Sequence, residues 1–117
     1  MGAQGGQLAE IAVVGAGAWG TALAILAHRV GNGVTIWSRN THVLQSISRN
    51  RVNDVYLPDV FLDPEINITD QLAELRTADI LLLAVPSQHL RTLCIQLSDL
   101  VSEHVPLVIC AKGIERG

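Results

Sequence analysis

Apolar positions along the chain follow two alternating rhythms. Ile11–Val14 is a continuous aliphatic run ending at Gly15, the pattern of a strand buried on both faces. From Ala18 to Val30 the spacing changes. Leu23, Leu26, Ala27 and Val30 share one helix face, and Gly31 follows His28 and Arg29 as a stop signal. Val34–Trp37 reads as a second strand. Thr41–Arg51 predicts a polar helix with Thr41 as its cap and Leu44, Ile47 and the stem of Arg51 on one face. Residues 53–65, NDVYLPDVFLDPE, read as an irregular segment punctuated by Pro58 and Pro64. Ile66–Ile68 predicts a short strand and Thr69–Arg76 a short helix. Asp79–Val85 predicts a fully buried strand stopped by Pro86. Leu90, Leu93, Cys94, Leu97 and Val101 mark another helix face, and Pro106–Ala111 reads as a last buried strand.

Five strands alternating with helices predict an α/β fold, a Rossmann-like, doubly wound parallel sheet with right-handed crossovers. In such sheets a ligand lies at the carboxyl ends of the strands, near the point where strand order reverses. Four segments are expected to meet there: Gly15–Gly20, Ser38–Asn40, Pro86–Gln88 and Lys112-Gly113.

Composition agrees with this picture and narrows it. The chain has 117 residues, 49% hydrophobic but only 3% aromatic, so one core must be built from small aliphatic side chains. The expected organisation is a flexible arm over residues 1–9 and one Rossmann-like domain over residues 10–117. MGAQGGQLAE has neither the basic start nor the apolar stretch of a signal peptide. No apolar run reaches the roughly 18 residues that a membrane span needs. Cys94 and Cys110 form no C-x-x-C and no ligand set with His28, His42, His89 or His104, and no metal site is expected. Buried, reduced thiols suit a cytoplasmic protein.

Charge is unevenly distributed. The 43 residues from Ile11 to Asn53 hold no Asp or Glu, yet include Arg29, Arg39, Arg49 and Arg51. Such a segment suits a small anionic ligand. Dispersed arginines, a net charge of −3 and few aromatics argue against nucleic acid.

The glycines at 15, 17 and 20 follow a strand and open a helix, where a G-x-G-x-x-G has mechanical meaning. Gly15 permits the tight turn, Gly17 lets the backbone approach a pyrophosphate, and Gly20 allows close helix–strand packing. The competing reading is a tight turn with no ligand. An acid-free first turn, opening at Ala18, favours the ligand because its N–H groups and dipole remain available to an anion. About 20 residues further on, NAD-binding chains carry an acid for the ribose 2′-hydroxyl. Here the sequence is Trp37-Ser38-Arg39-Asn40. Arg39 suits a 2′-phosphate or stacks on adenine, which tilts the expectation from NAD toward NADP or toward both; a merely solvated Arg39 is the alternative. Lys112, the only lysine, ends a strand at the ligand edge and suits a phosphate dianion; a strand-end lysine that merely reaches solvent is the alternative. His89 is the one histidine expected near that edge, at the surface.

Together, G-A-G-A-W-G-T-A-L-A at 15–24, W-S-R-N at 37–40, R-x-N-x-x-Y-L-P at 51–58, A-V-P-S-Q at 84–88 and A-K-G-I-E at 111–115 resemble the bacterial-type NAD(P)-dependent glycerol-3-phosphate dehydrogenases. The resemblance runs from Ile11 to the end. It implies an oxidoreductase that reduces dihydroxyacetone phosphate to sn-glycerol 3-phosphate with a hydride from NADPH or NADH, for phospholipid synthesis, and is compatible with a homodimer. It carries cofactor contacts onto Gly15, Gly17, Ala18, Trp19, Gly20, Arg39 and Lys112, and a substrate-phosphate contact onto Lys112. Trp19 would flank the cofactor phosphates, its ring walling off the pyrophosphate while its indole N–H donates; packing on a helix face is the alternative. Ser87 and Gln88 would line the nicotinamide side, and Tyr56 would either stack or pack. The family's proton-donating lysine belongs to a helical carboxyl-terminal domain. Residues 1–117 are therefore expected to be the cofactor half, holding no catalytic residue. Two other readings remain at this point: a non-catalytic NAD(P)-binding module, or another two-domain reductase of the ketopantoate or hydroxyacid type. The Tyr-Leu-Pro and Lys-Gly-Ile-Glu blocks favour the glycerol phosphate family over the latter.

Overall fold

The computed structural model describes residues 8–110. In chain order the elements are β1 (Glu10–Val14), α1 (Ala18–Arg29), β2 (Gly33–Trp37), α2 (Thr41–Asn50), β3 (Val52–Asn53), β4 (Leu57–Phe61), β5 (Asn67–Thr69), a 3₁₀ turn (Leu72–Leu75), β6 (Ile80–Leu83), α3 (Ser87–Ser98) and β7 (Leu107–Ile109). Five strands pair in parallel in the order β5-β2-β1-β6-β7. The chain builds outward from β1 through β2 to β5, then returns to the other side of β1 with β6 and β7. Order therefore reverses between β1 and β6. Register sets Val14 opposite both Trp37 and Leu83, so the residues after these three strands emerge side by side at one edge.

Alternation along the strands loads both faces of the sheet. Val13, Val34 and Ile36 pack on one face with Ala24 of α1, Val43 and Ile47 of α2, Leu62 and Ile66. Ala12, Val14, Trp37, Leu81 and Leu83 pack on the other with Leu93 and Leu97 of α3, Leu75 and Ala78. Helices cover a sheet whose strands are aliphatic on both sides, as the runs at 11–14 and 80–83 require.

Several expectations need correction. Asn40, not Thr41, caps α2: its side chain accepts from the Val43 N–H at 3.2 Å. The helix ends at Asn50 because Arg51 adopts a left-handed backbone, φ 56°. The Arg51 side chain does not continue a helix face. Its Nη2 donates to the carbonyls of Asp63 and Ile66, both at 2.7 Å, and its Nε to that of Leu62 at 3.3 Å. It thus ties the helix end to residues 62–66. Part of the segment expected to be irregular is the antiparallel pair β3–β4, which accepts Pro58 because a two-stranded ribbon leaves each strand an unpaired edge. The predicted helix at 69–76 shrinks to the 3₁₀ turn. β7 is an edge strand paired with β6 among the described residues, leaving Val108 and Ile109 exposed rather than buried. Cys94 and Cys110 are free but only half-buried, and partial burial raises the Cys110 thiol's pKa. Leu8 and Ala9, placed in the flexible arm, are pinned instead: Leu8 N–H donates to the Gly31 carbonyl, and the Ala9 carbonyl accepts from Gly33. No described helix is long and apolar enough to cross a membrane.

Arg51→Met keeps the apolar stem and removes all three hydrogen bonds. It is expected to cost about 2–3 kcal/mol, since hydrogen bonds from a charged donor each carry appreciable stability and their acceptors lose partners. Urea unfolding checks this: the midpoint falls while the slope holds.

Candidate cofactor site

The carboxyl edge of the sheet carries the site. At the end of β1, Gly15 turns with φ +118° and donates to the Trp37 carbonyl at 2.8 Å. A Cβ on Gly15 would lie 2.5 Å from the Ala84 carbonyl oxygen, and one on Gly20 would lie 2.1 Å from the Gly15 oxygen. Both glycines are thus demanded by the fold, one for a turn beside β6, the other for the close approach of α1. Gly17 differs. Its Cβ would meet nothing within 4 Å, so the backbone there is open to whatever approaches. Gly17 caps α1 without a side-chain hydrogen bond, and the first turn has no acid. The N–H groups and dipole of a 12-residue helix face that opening.

Beside the turn lies a cavity of about 310 Å³. Gly15, Ala16 and Gly17 form one wall, and Trp37, Ser38, Arg39 and Asn40 another. Ala84, Val85, Pro86, His89 and Leu93 close the side formed by β6 and α3, and Tyr56 reaches in from the β3–β4 hairpin. Ser38 is buried, and its Oγ accepts from the Asn40 N–H at 3.0 Å, which fixes the bend after β2. Arg39 is exposed on that bend, with its guanidinium carbon 5.4 Å from the centre of the Trp37 ring. The stacking holds the cation at the cavity mouth, and among the described residues no carboxylate pairs with it. Trp37 Nε1, buried in the same wall, has no hydrogen-bond partner among those residues.

Of the residues expected here, Gly15, Gly17, Arg39 and Tyr56 line the cavity; Ala18 and Gly20 stand just behind, in the first turn of α1. Trp19 is placed otherwise. Its Nε1 donates to the Cys110 carbonyl at 2.8 Å, bridging α1 to the residue after β7, and its ring is 40% exposed. In this arrangement the indole N–H is already engaged and does not point a free donor at a phosphate. Ser87 and Gln88 lie outside the cavity lining; Pro86 and His89, exposed as they are, line that wall instead. Lys112 lies outside the described residues. Sequence reasoning missed Asn53, a fully buried amide whose Nδ2 donates to the Ala16 carbonyl at 2.7 Å and to Thr21 Oγ1 at 2.9 Å. Only its place in the 51–58 block hinted at a role.

A doubly wound sheet with a glycine turn and an acid-free helix N-terminus at its switch point defines a Rossmann-type domain. The model of the family "NAD-dependent glycerol-3-phosphate dehydrogenase N-terminus" matches residues 10–117, and the chain belongs to that family. It is 46% identical over 107 residues to glycerol-3-phosphate dehydrogenase [NAD(P)+] of Chelativorans sp. (strain BNC1), covering 91% of this chain and 33% of that protein. It is 49% identical over 108 residues to the enzyme of the same name from Bradyrhizobium diazoefficiens, covering 92% and 33%. The crystal structure of glycerol-3-phosphate dehydrogenase from Coxiella burnetii superposes with a TM-score of 0.82 at 28% identity, over 92% of this chain and 34% of that one. The chain thus spans about a third of the length of the curated relatives it matches.

Proposed function

We propose that the chain binds NADPH and NADH across the Gly15–Gly20 turn, as the cofactor-binding part of an enzyme that reduces dihydroxyacetone phosphate to sn-glycerol 3-phosphate. The observation that carries this reading is the open backbone at Gly17 on an uncapped, acid-free helix N-terminus. A diphosphate there receives N–H groups already directed by the helix. The residues fit a dinucleotide at both ends of the crevice. The turn takes the pyrophosphate, while Arg39, paired with no carboxylate among the described residues, accepts a 2′-phosphate or covers the base. When bound, the cofactor supplies the hydride. The chain's own contribution is to orient it: Gly15 and Gly17 hold the backbone close, Ala18 opens the helix, and Val85, Pro86 and Leu93 present an apolar wall that excludes water from one side of the crevice. The substrate-phosphate role for Lys112, a cytoplasmic location, a place in phospholipid synthesis and a homodimeric whole enzyme are corollaries of this reading and rest on the family resemblance.

Calorimetric titration of the 117-residue chain with NADPH and NADH tests the reading, and no saturable heat with either would end it. Arg39→Ala is expected to weaken NADPH binding about tenfold or more and to leave NADH nearly unchanged, since a charge-assisted contact to the 2′-phosphate is worth roughly 1.5–3 kcal/mol. Equal losses for both cofactors would mean that Arg39 stacks on adenine instead.

A further inference from the structure

We infer that Asn53 is a positioning residue for the pyrophosphate turn, aiming the Gly17 N–H at the cofactor without touching it. This inference rests on the dinucleotide reading above and names a device within it.

Asn53 ends β3, 37 residues after Ala16 in sequence, and no part of its side chain reaches solvent. A buried amide is expensive unless its hydrogen-bonding groups are matched. Here both ends are. Nδ2 donates to the Ala16 carbonyl at 2.7 Å and to Thr21 Oγ1 at 2.9 Å, and Oδ1 accepts from the Tyr56 N–H at 3.2 Å. One side chain therefore joins the glycine turn, the first turns of α1 and the β3–β4 hairpin.

The Ala16 carbonyl and the Gly17 N–H belong to the same planar, trans peptide unit, so fixing one fixes the other. With the oxygen held toward Asn53, the N–H faces the opposite way. No described residue accepts from it. Thr21 gives the carbonyl only a long contact of 3.4 Å, so without Asn53 this peptide loses its main restraint. Glycine on one side makes the unit easy to rotate. A rotated peptide would present its carbonyl oxygen to the pyrophosphate and replace attraction with repulsion. Through Tyr56, the same amide links this orientation to a residue of the cavity wall.

The test compares ligands with and without a pyrophosphate, on the 117-residue chain. Asn53→Ala is expected to weaken NADPH binding at least tenfold, the scale of one misdirected charge-assisted hydrogen bond. Binding of adenosine 2′-monophosphate, which lacks the pyrophosphate, is expected to stay within about twofold, since the Arg39 bend that takes its phosphate makes no contact with Asn53. A merely structural role would lower both affinities together, and that result, or no loss for NADPH, overturns the inference. If Asn53→Ala does not fold, Asn53→Ser, whose shorter side chain withdraws the donor from the Ala16 carbonyl but keeps an oxygen able to accept from the Tyr56 N–H, carries the same comparison with the same two outcomes. Failure of the unmodified chain to bind NADPH would instead remove the functional reading itself.

Discussion

Gly17→Val is expected to abolish dinucleotide binding, by at least about a hundredfold, while the domain still folds cooperatively. The two halves of this result have separate physical causes. Folding survives because Gly17 has φ −73° and ψ −171°, a backbone that valine adopts readily, and because its Cβ would enter open space. Valine is a poorer helix cap than glycine, a cost of about 1 kcal/mol or less. Binding fails because the branched side chain fills the space through which a diphosphate reaches the N–H groups of α1. The ligand cannot retreat, since those donors point in one direction only. Thermal unfolding by circular dichroism together with calorimetric titration decides the matter. A folded variant with unchanged NADPH affinity would move the site away from this turn.

How far the sequence foretold this arrangement depended on the kind of signal each part carries. β1, α1, β2 and β6 declare themselves through aliphatic rhythm, and the structure places them within a residue or two of the predicted bounds. A strand buried on both faces has no other way to be written. The β3–β4 hairpin did not declare itself, because Val55, Tyr56 and Phe61 are exposed and Pro58 argues against a strand unless its edge is unpaired. β7 reads as buried from Leu107, Val108 and Ile109, yet hydropathy says nothing about which strand lies at an edge. The same division holds at the site. The place of Arg39 at the cavity mouth was legible because a carboxylate is missing where one is usual, a local fact of spacing; its part in binding stays a proposal. Trp19 was half legible: its position was found, but the destination of its N–H lies 91 residues away, at Cys110. Arg51 and Asn53 were nearly silent. Their work is hydrogen bonding to distant backbone carbonyls, and no periodicity records the partner of a buried polar group.

Gly20→Ala is expected to destabilise the domain strongly, costing about 3 kcal/mol even though alanine is the better helix former. In an open helix this exchange would stabilise by up to about 1 kcal/mol. Here the new Cβ would stand 2.1 Å from the Gly15 carbonyl oxygen and 3.0 Å from its carbon, with Ala84 Cβ at 3.4 Å behind. Relief requires α1 to move off the sheet or Gly15 to move away. Gly15 has no room, since its own turn already sits against the Ala84 carbonyl and its N–H is committed to the Trp37 carbonyl at 2.8 Å. α1 is held as well, through Ala24 packed on Val13, Val34 and Ile36. Overpacking against backbone cannot be absorbed by a rotamer change, so the cost falls on helix docking. Gly17→Ala, three residues earlier, is the matched control and should change stability by less than about 1 kcal/mol. Urea unfolding of both variants makes the comparison. If Gly20→Ala equals or exceeds the parent in stability, α1 does not pack against the turn as closely as described, and the assignment of roles among the three glycines fails with it.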